Sequence, residues 1–213
     1  MRRCPSMLYE YLIRNYKPDE PIFLADIKLP DVNDNTLRQM FKKLCDAEKI
    51  KRFDTGIYYL PSQSRLKGST GLTPEVAASY KYIERGGKIE GYFSGFTFSN
   101  MLGLTMQVPY TMEIVSNSAG GNFRVVSLAG RKIALRRPRA EVTGKNRRVL
   151  QFLDFLKDYE EYVDDDPEKV SARLAKLVES SGITKEDVDC YISLFPEKVY
   201  KNFYDLRLYD VLA

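Results

Sequence analysis

Histidine is absent from all 213 residues. Its absence removes Ser-His-Asp and Cys-His nucleophile systems, histidine-ligated zinc and a histidine general base together. Cysteine is scarce: Cys4, Cys45 and Cys190 are far apart and odd in number, which argues against a disulfide framework and against a Cys-x-x-Cys metal site. No apolar run approaches the roughly 20 residues of a membrane-spanning helix. Met1-Arg2-Arg3-Cys4-Pro5 does not lead into the long apolar segment of a secretion signal. A cytoplasmic protein with no membrane partner is the expectation. Nothing matches Gly-x-x-x-x-Gly-Lys-Ser/Thr, and Gly68-Ser69 lacks the nearby acids of a nucleotidyltransferase. A non-enzyme without cofactor, metal or catalytic residues is therefore expected.

What is present is the composition of a globular chain, 44% hydrophobic and 29% charged. Its net charge of +4 conceals a division. Residues 1–68 hold 13 Lys and Arg against 9 Asp and Glu, residues 69–149 hold 12 against 5, and residues 150–213 hold 8 against 15. A polyanion is the simplest partner for the basic two thirds, and a basic surface, or nothing, for the acidic remainder.

Residues Asp31 to Pro61 carry the clearest pattern. Leu37, Met40, Phe41, Leu44 and Cys45 form an apolar helical stripe, which predicts a helix over 35–47 with one buried face. Asn33 or Asp34 caps it. Its other side carries Asn35, Thr36, Arg38, Gln39, Lys42 and Lys43, side chains that bond base edges and phosphates, with no acid on the first three turns of that face. Two short strands, Ile50 to Phe53 and Ile57 to Leu60, follow, joined by Asp54-Thr55-Gly56. Lys51 and Arg52 on the first strand suit phosphate contacts. Upstream, Ser6 to Tyr16 reads as a helix capped by Ser6, Ile22 to Leu24 as a short strand, and Ala25 to Leu29 as a brief helix stopped by Pro30. Helix, strand, helix, helix, hairpin is the order of a winged helix-turn-helix, expected over residues 1–62 and followed by a linker at 63–70.

The fold class expected is α+β, with residues 71–213 forming a second domain of a small sheet at about 108–136 and several helices over 147–213. Thr73-Pro74-Glu75 starts a helix that runs to the Gly86-Gly87 break, and Ser94 to Leu102 forms another that ends at Gly103. Strands are expected at 111–115, 123–126 and 133–136, and helices at 147–162, 167–180 and 184–194. Tyr92, Phe93, Phe96 and Phe98 read as core rather than a base-stacking platform, and Asp164-Asp165-Asp166 as a helix cap rather than a metal site. Arg131, Lys132, Arg136, Arg137 and Arg139 fit either a second DNA-binding surface or ordinary polar strand ends, and the pattern leaves both open.

The chain resembles the AbiEi-like antitoxins of type IV toxin-antitoxin systems. The matching residues are the segment 6–61 closing on Gly56-Ile57-Tyr58-Tyr59-Leu60-Pro61, then Gly71-Leu72-Thr73-Pro74, and the block from Gly91-Tyr92-Phe93-Ser94-Gly95 through Asn100-Met101-Leu102-Gly103-Leu104-Thr105-Met106-Gln107-Val108-Pro109. Leu135-Arg136-Arg137-Pro138-Arg139 and the Leu150 to Lys157 helix match as well. The middle block is the more specific part, because a winged helix is common to many regulators. The resemblance implies a bacterial protein that represses its own operon, binding double-stranded operator DNA, and counteracts a nucleotidyltransferase-like toxin, with or without direct contact. A stand-alone regulator with a ligand-sensing or dimerising C-terminal domain, and a nuclease using the carboxylates of the tail, are the other classes.

Overall fold

Two amphipathic helices and a hairpin build the N-terminal part of the molecule. A computed structural model of the chain describes residues 5–62, 71–164 and 166–212. The chain divides into two compact units, Met1–Ala78 and Ser79–Ala213. The expected linker at 63–70 lies outside the described residues, as does Asp165. The elements make a mixed α+β protein with small sheets.

In the first unit, α1 (Pro5–Asn15) buries Leu8 and Leu12 completely. Helix α1 already includes Pro5, so Ser6 lies inside it rather than at its cap. Strand β1 (Ile22–Phe23) follows, and then a single turn of 3-10 helix, Leu24–Asp26, where a longer helix over 25–29 was expected. The reason is local. Leu24 N–H bonds to Gly56 O at 2.9 Å, Ile27 is already extended, and Leu29 precedes a proline that disfavours helical backbone. A segment this short cannot repay helix nucleation.

Helix α2 (Asp34–Asp46) buries Leu37, Met40, Phe41 and Leu44 on the expected stripe. Asn33 is its cap, the side chain accepting from Thr36 N–H at 2.8 Å. Strands β2 (Lys51–Asp54) and β3 (Ile57–Tyr59) form the hairpin, and β1 adds to β3, giving the order β1-β3-β2. The register passes from Arg52↔Tyr58 to Asp54↔Ile57, so Phe53 is a bulge and the turn narrows to Thr55-Gly56, with Gly56 at φ +73°. Leu8, Leu12, Ile22, Ile27, Leu37, Met40, Phe41, Leu44, Ile50 and Leu60 make one core, with Tyr58 tilted against Phe41 at 4.6 Å between ring centres.

Helix α3 (Pro74–Tyr82) starts as expected, Val76 N–H donating to Thr73 Oγ1, and the division between the units falls inside it. In the second unit, Gly86-Gly87 is a hairpin turn rather than a break. It joins β4 (Glu84–Arg85) to β5 (Lys88–Ile89), and both glycines have the positive φ that a two-residue hairpin loop needs. Strand β6 (Gly91–Phe93), helix α4 (Gly95–Leu102) and strands β7 (Thr111–Ser116), β8 (Phe123–Leu128) and β9 (Arg131–Arg136) follow. The sheet order is β6-β7-β9-β8, with β7 and β9 parallel and the other pairs antiparallel.

Helix α5 (Arg147–Lys157) is the centre of this unit. Val149, Leu150, Phe152, Leu153, Phe155 and Leu156 are buried, and so are Gln151 and Asp154. Packed around it are α6 (Tyr159–Tyr162), α7 (Pro167–Ser181), α8 (Lys185–Tyr191) and α9 (Glu197–Asp205), sharing one core with Tyr92, Phe98, Leu104 and Val115. Pro167 sits in the first turn of α7, whereas Pro196 is the cap of α9. Asp166 caps α7, its carboxylate accepting from Lys169 N–H, while Asp164 accepts from Thr105 and Gln107 side chains. Among the described residues no helix is long and apolar enough to cross a membrane.

Candidate functional site

The residues singled out on α2 lie on its open side. Asn35, Arg38, Gln39, Lys42 and Lys43 are exposed and Thr36 half-buried, while the stripe three and four residues away fills the core. The side chains of Asn35, Arg38, Gln39, Lys42, Lys43 and Lys51 have no hydrogen-bond or ion-pair partner among the described residues. Asn33 takes one of the N-terminal amides of α2, and Asp34, the first helical residue, sets a carboxylate at the helix start one turn from Arg38. On the hairpin, Lys51 and Arg52 are exposed. Arg52 is partly engaged, Nε donating to Asp54 O and Nη2 to Thr55 Oγ1, each at 3.3 Å, so its guanidinium braces the turn it stands beside.

The second basic cluster does not form one surface. Arg136 is turned inward: Nη2 meets Asp154 Oδ2 at 3.0 Å and donates to Ser94 Oγ at 2.7 Å. Burial opposes its charge, yet the adjacent Asp154 carboxylate outweighs that and raises its pKa. An arginine so committed is a structural cation, which for Arg136 favours the second of the two readings that the sequence leaves open. Arg131 donates to Pro109 O, and Arg139 donates to Leu194 O at 3.0 Å with its guanidinium over the Phe195 ring. Lys132 and Arg137 are exposed, Lys132 standing over the Tyr110 ring. Alternation along β9 places Arg131 and Lys132 on opposite faces of the sheet.

The ion pair belongs to a network that composition and spacing did not single out. Ser94 Oγ donates to Asp154 Oδ2 at 2.6 Å, and Gln151 Nε2 donates to Phe93 O at 2.8 Å. Because Ser94 is spent on Asp154, the start of α4 is capped from the sheet instead: Phe96 N–H donates to Glu113 Oε1 at 3.1 Å. Gly95 is required twice over. Its φ is +54°, and a Cβ there would lie 2.3 Å from the Glu113 carboxylate oxygens. Burial raises the Glu113 pKa, partly opposed by the Phe96 amide and the Arg136 charge. Tyr92 and Phe98 are core, and Phe96 packs edge-on against Tyr162.

Among the described residues no group of three or more His, Cys, Asp and Glu side chains could hold a metal ion. Asp164 and Asp166 serve a threonine hydroxyl and a helix cap, as above. No curated protein matches the chain. The model of a family of unknown function, DUF6088, matches residues 12–183, from α1 to the end of the α7 segment, and the chain belongs to that family.

Proposed function

We propose that the chain is a DNA-binding regulator whose N-terminal unit is a winged helix-turn-helix, with α2 as its recognition helix and the β2-β3 hairpin as its wing. The observation that carries this reading is the open face of α2: six polar and basic side chains at helical spacing, five of them exposed, with Lys51 and Arg52 on the adjoining hairpin. Asn35, Thr36, Arg38 and Gln39, near the N-terminal end, read base edges. Lys42, Lys43, Lys51 and Arg52 contact phosphates and fix position.

Within this reading the chain is an antitoxin of a type IV toxin-antitoxin system, repressing its own operon and counteracting a nucleotidyltransferase-like toxin. Support comes from the residues that carry the resemblance. Ser94, Arg136 and Asp154 lie in three separate matching blocks and meet in one network.

The test is binding of the full chain to the duplex upstream of its own coding sequence, measured against a shuffled duplex of equal length. The wild type prefers the upstream duplex, and Arg38→Ala with Gln39→Ala loses about tenfold or more of that preference. A double variant that discriminates as the wild type does would falsify the recognition-helix assignment. Growth rescue on co-expression with a nucleotidyltransferase encoded by the adjoining gene tests the antitoxin half, and no rescue leaves only the regulator.

A further inference from the structure

One face of the four-stranded sheet carries an open concavity of about 350 Å³, within the size range of small-ligand sites. Its floor is Glu113 on β7 and Ala134 on β9, which are register partners. Phe96 at the start of α4 and the segment 107–111 leading into β7 form its walls. That segment holds its apolar carbon toward water: Val108 is 76% and Tyr110 72% exposed. Glu113 supplies the one carboxylate of the lining.

Glu113 caps α4 through Oε1, and Oε2 has no hydrogen-bond partner among the described residues. Arg131 Nε is the one side-chain polar atom among them that is both sealed from solvent and unpartnered, so Oε2 is open. Capping needs neither the aromatic walls nor the empty volume. The nearby Arg136 and Lys157 offset the Glu113 charge only in part, and the Arg136 guanidinium hydrogen-bonds Asp154 and Ser94 rather than Oε2. Lys132 already stands over the Tyr110 ring, so it is the partly desolvated Glu113 carboxylate that favours positive charge in a ligand, while Phe96 and the 107–111 segment favour apolar surface. An anion would meet the carboxylate, and a metal ion would find a single carboxylate ligand where it needs several.

We propose that this pocket binds a small organic cation, an ammonium, amidinium or guanidinium head pairing with Glu113 while its apolar or aromatic body packs on Phe96, Val108, Pro109 and Tyr110. The site lies wholly within the second unit and would give that unit a ligand to sense.

Benzamidine and its uncharged counterpart benzamide are suitable probes, titrated into the full chain by calorimetry or by following amide resonances of Phe96, Thr111 and Ala134. Benzamidine binds about tenfold or more tightly than benzamide. Glu113→Gln, which keeps the shape and an acceptor for Phe96 N–H, brings benzamidine down to the benzamide level. Ala134→Leu fills the floor and removes both, with circular dichroism checking that the variant is folded. Equal binding of the two probes, no benzamidine binding at millimolar concentration, or full binding by Glu113→Gln overturns the proposal. Upstream-duplex binding measured on the same samples separates this outcome from failure of the DNA-binding reading.

Discussion

Asp154 is 6% exposed on a helix whose other inward residues are mostly apolar, and it survives there because Arg136 and Ser94 both address one of its oxygens. Removing it strands a half-buried guanidinium, so Asp154→Ala costs about 3 kcal/mol in chemical denaturation. Replacing all three members, Ser94→Ala, Arg136→Met and Asp154→Leu, recovers most of that loss, since the apolar set leaves neither an orphaned charge nor an orphaned hydroxyl. Gly95→Ala meets a different obstacle, left-handed backbone and the Glu113 carboxylate together, and lowers stability by about 2 kcal/mol. Glu113 itself has a pKa raised by burial. A carboxyl raised in the folded state contributes most below its ordinary value of 4.5, and that contribution is lost as pH rises through the raised value. Glu113→Gln is therefore more stable than the wild type near neutrality, and the advantage shrinks toward pH 4 in thermal melts compared across pH. None of this network was legible in the sequence. Asp154 and Gln151 fall among the polar letters of an amphipathic pattern, and only the packing of α5 on all sides shows that they are inside.

At the scale of elements, legibility followed length and period. The stripe of α2 was readable because thirteen residues repeat one pattern, and side-chain chemistry narrowed its cap to Asn33 or Asp34, of which the structure selects Asn33. Asn33→Ala should cost about 1 kcal/mol, read as a lowered denaturation midpoint. The one-turn helix at Leu24–Asp26, the strands β4 and β5 and the three-residue β6 were not readable as such. Two or three residues contain no period, and their conformation is set by partners distant in sequence, such as Gly56 for Leu24 and Val115 for Tyr92. The parallel pairing of β7 with β9 was equally hidden, since strand order is decided by what covers the sheet and not by local pattern. On the hairpin, Lys51 is a point charge with no partner among the described residues. Lys51→Ala should weaken upstream and shuffled duplexes about equally and reduce the slope of log affinity against log salt by about 1.

The whole molecule separates its charges, and the structure shows what many of the acidic groups do. Asp166 and Asp187 cap helices, Glu168, Glu186 and Glu197 occupy first turns where the helix dipole favours them, and Asp205 pairs with Lys201. Asp158 is drawn below the usual carboxylate range: burial works against its charge, but Lys157 and Lys198 outweigh it. The acidic excess of residues 150–213 is in good part the chemistry of starting and pairing short helices. Of the basic groups of α2, Lys43 lies in the last turn, where the helix dipole favours it, while Arg38 and Lys42 have no such employment, and it is they that the DNA-binding reading chiefly rests on. Amide protection of the full chain, mapped by hydrogen exchange with and without the upstream duplex, tests that reading most directly. Added protection over residues 33–43 and 51–57, greater than with shuffled duplex, is the expected result. Protection confined to residues 79–212, or none at a duplex concentration that shifts the protein on a gel, would contradict it.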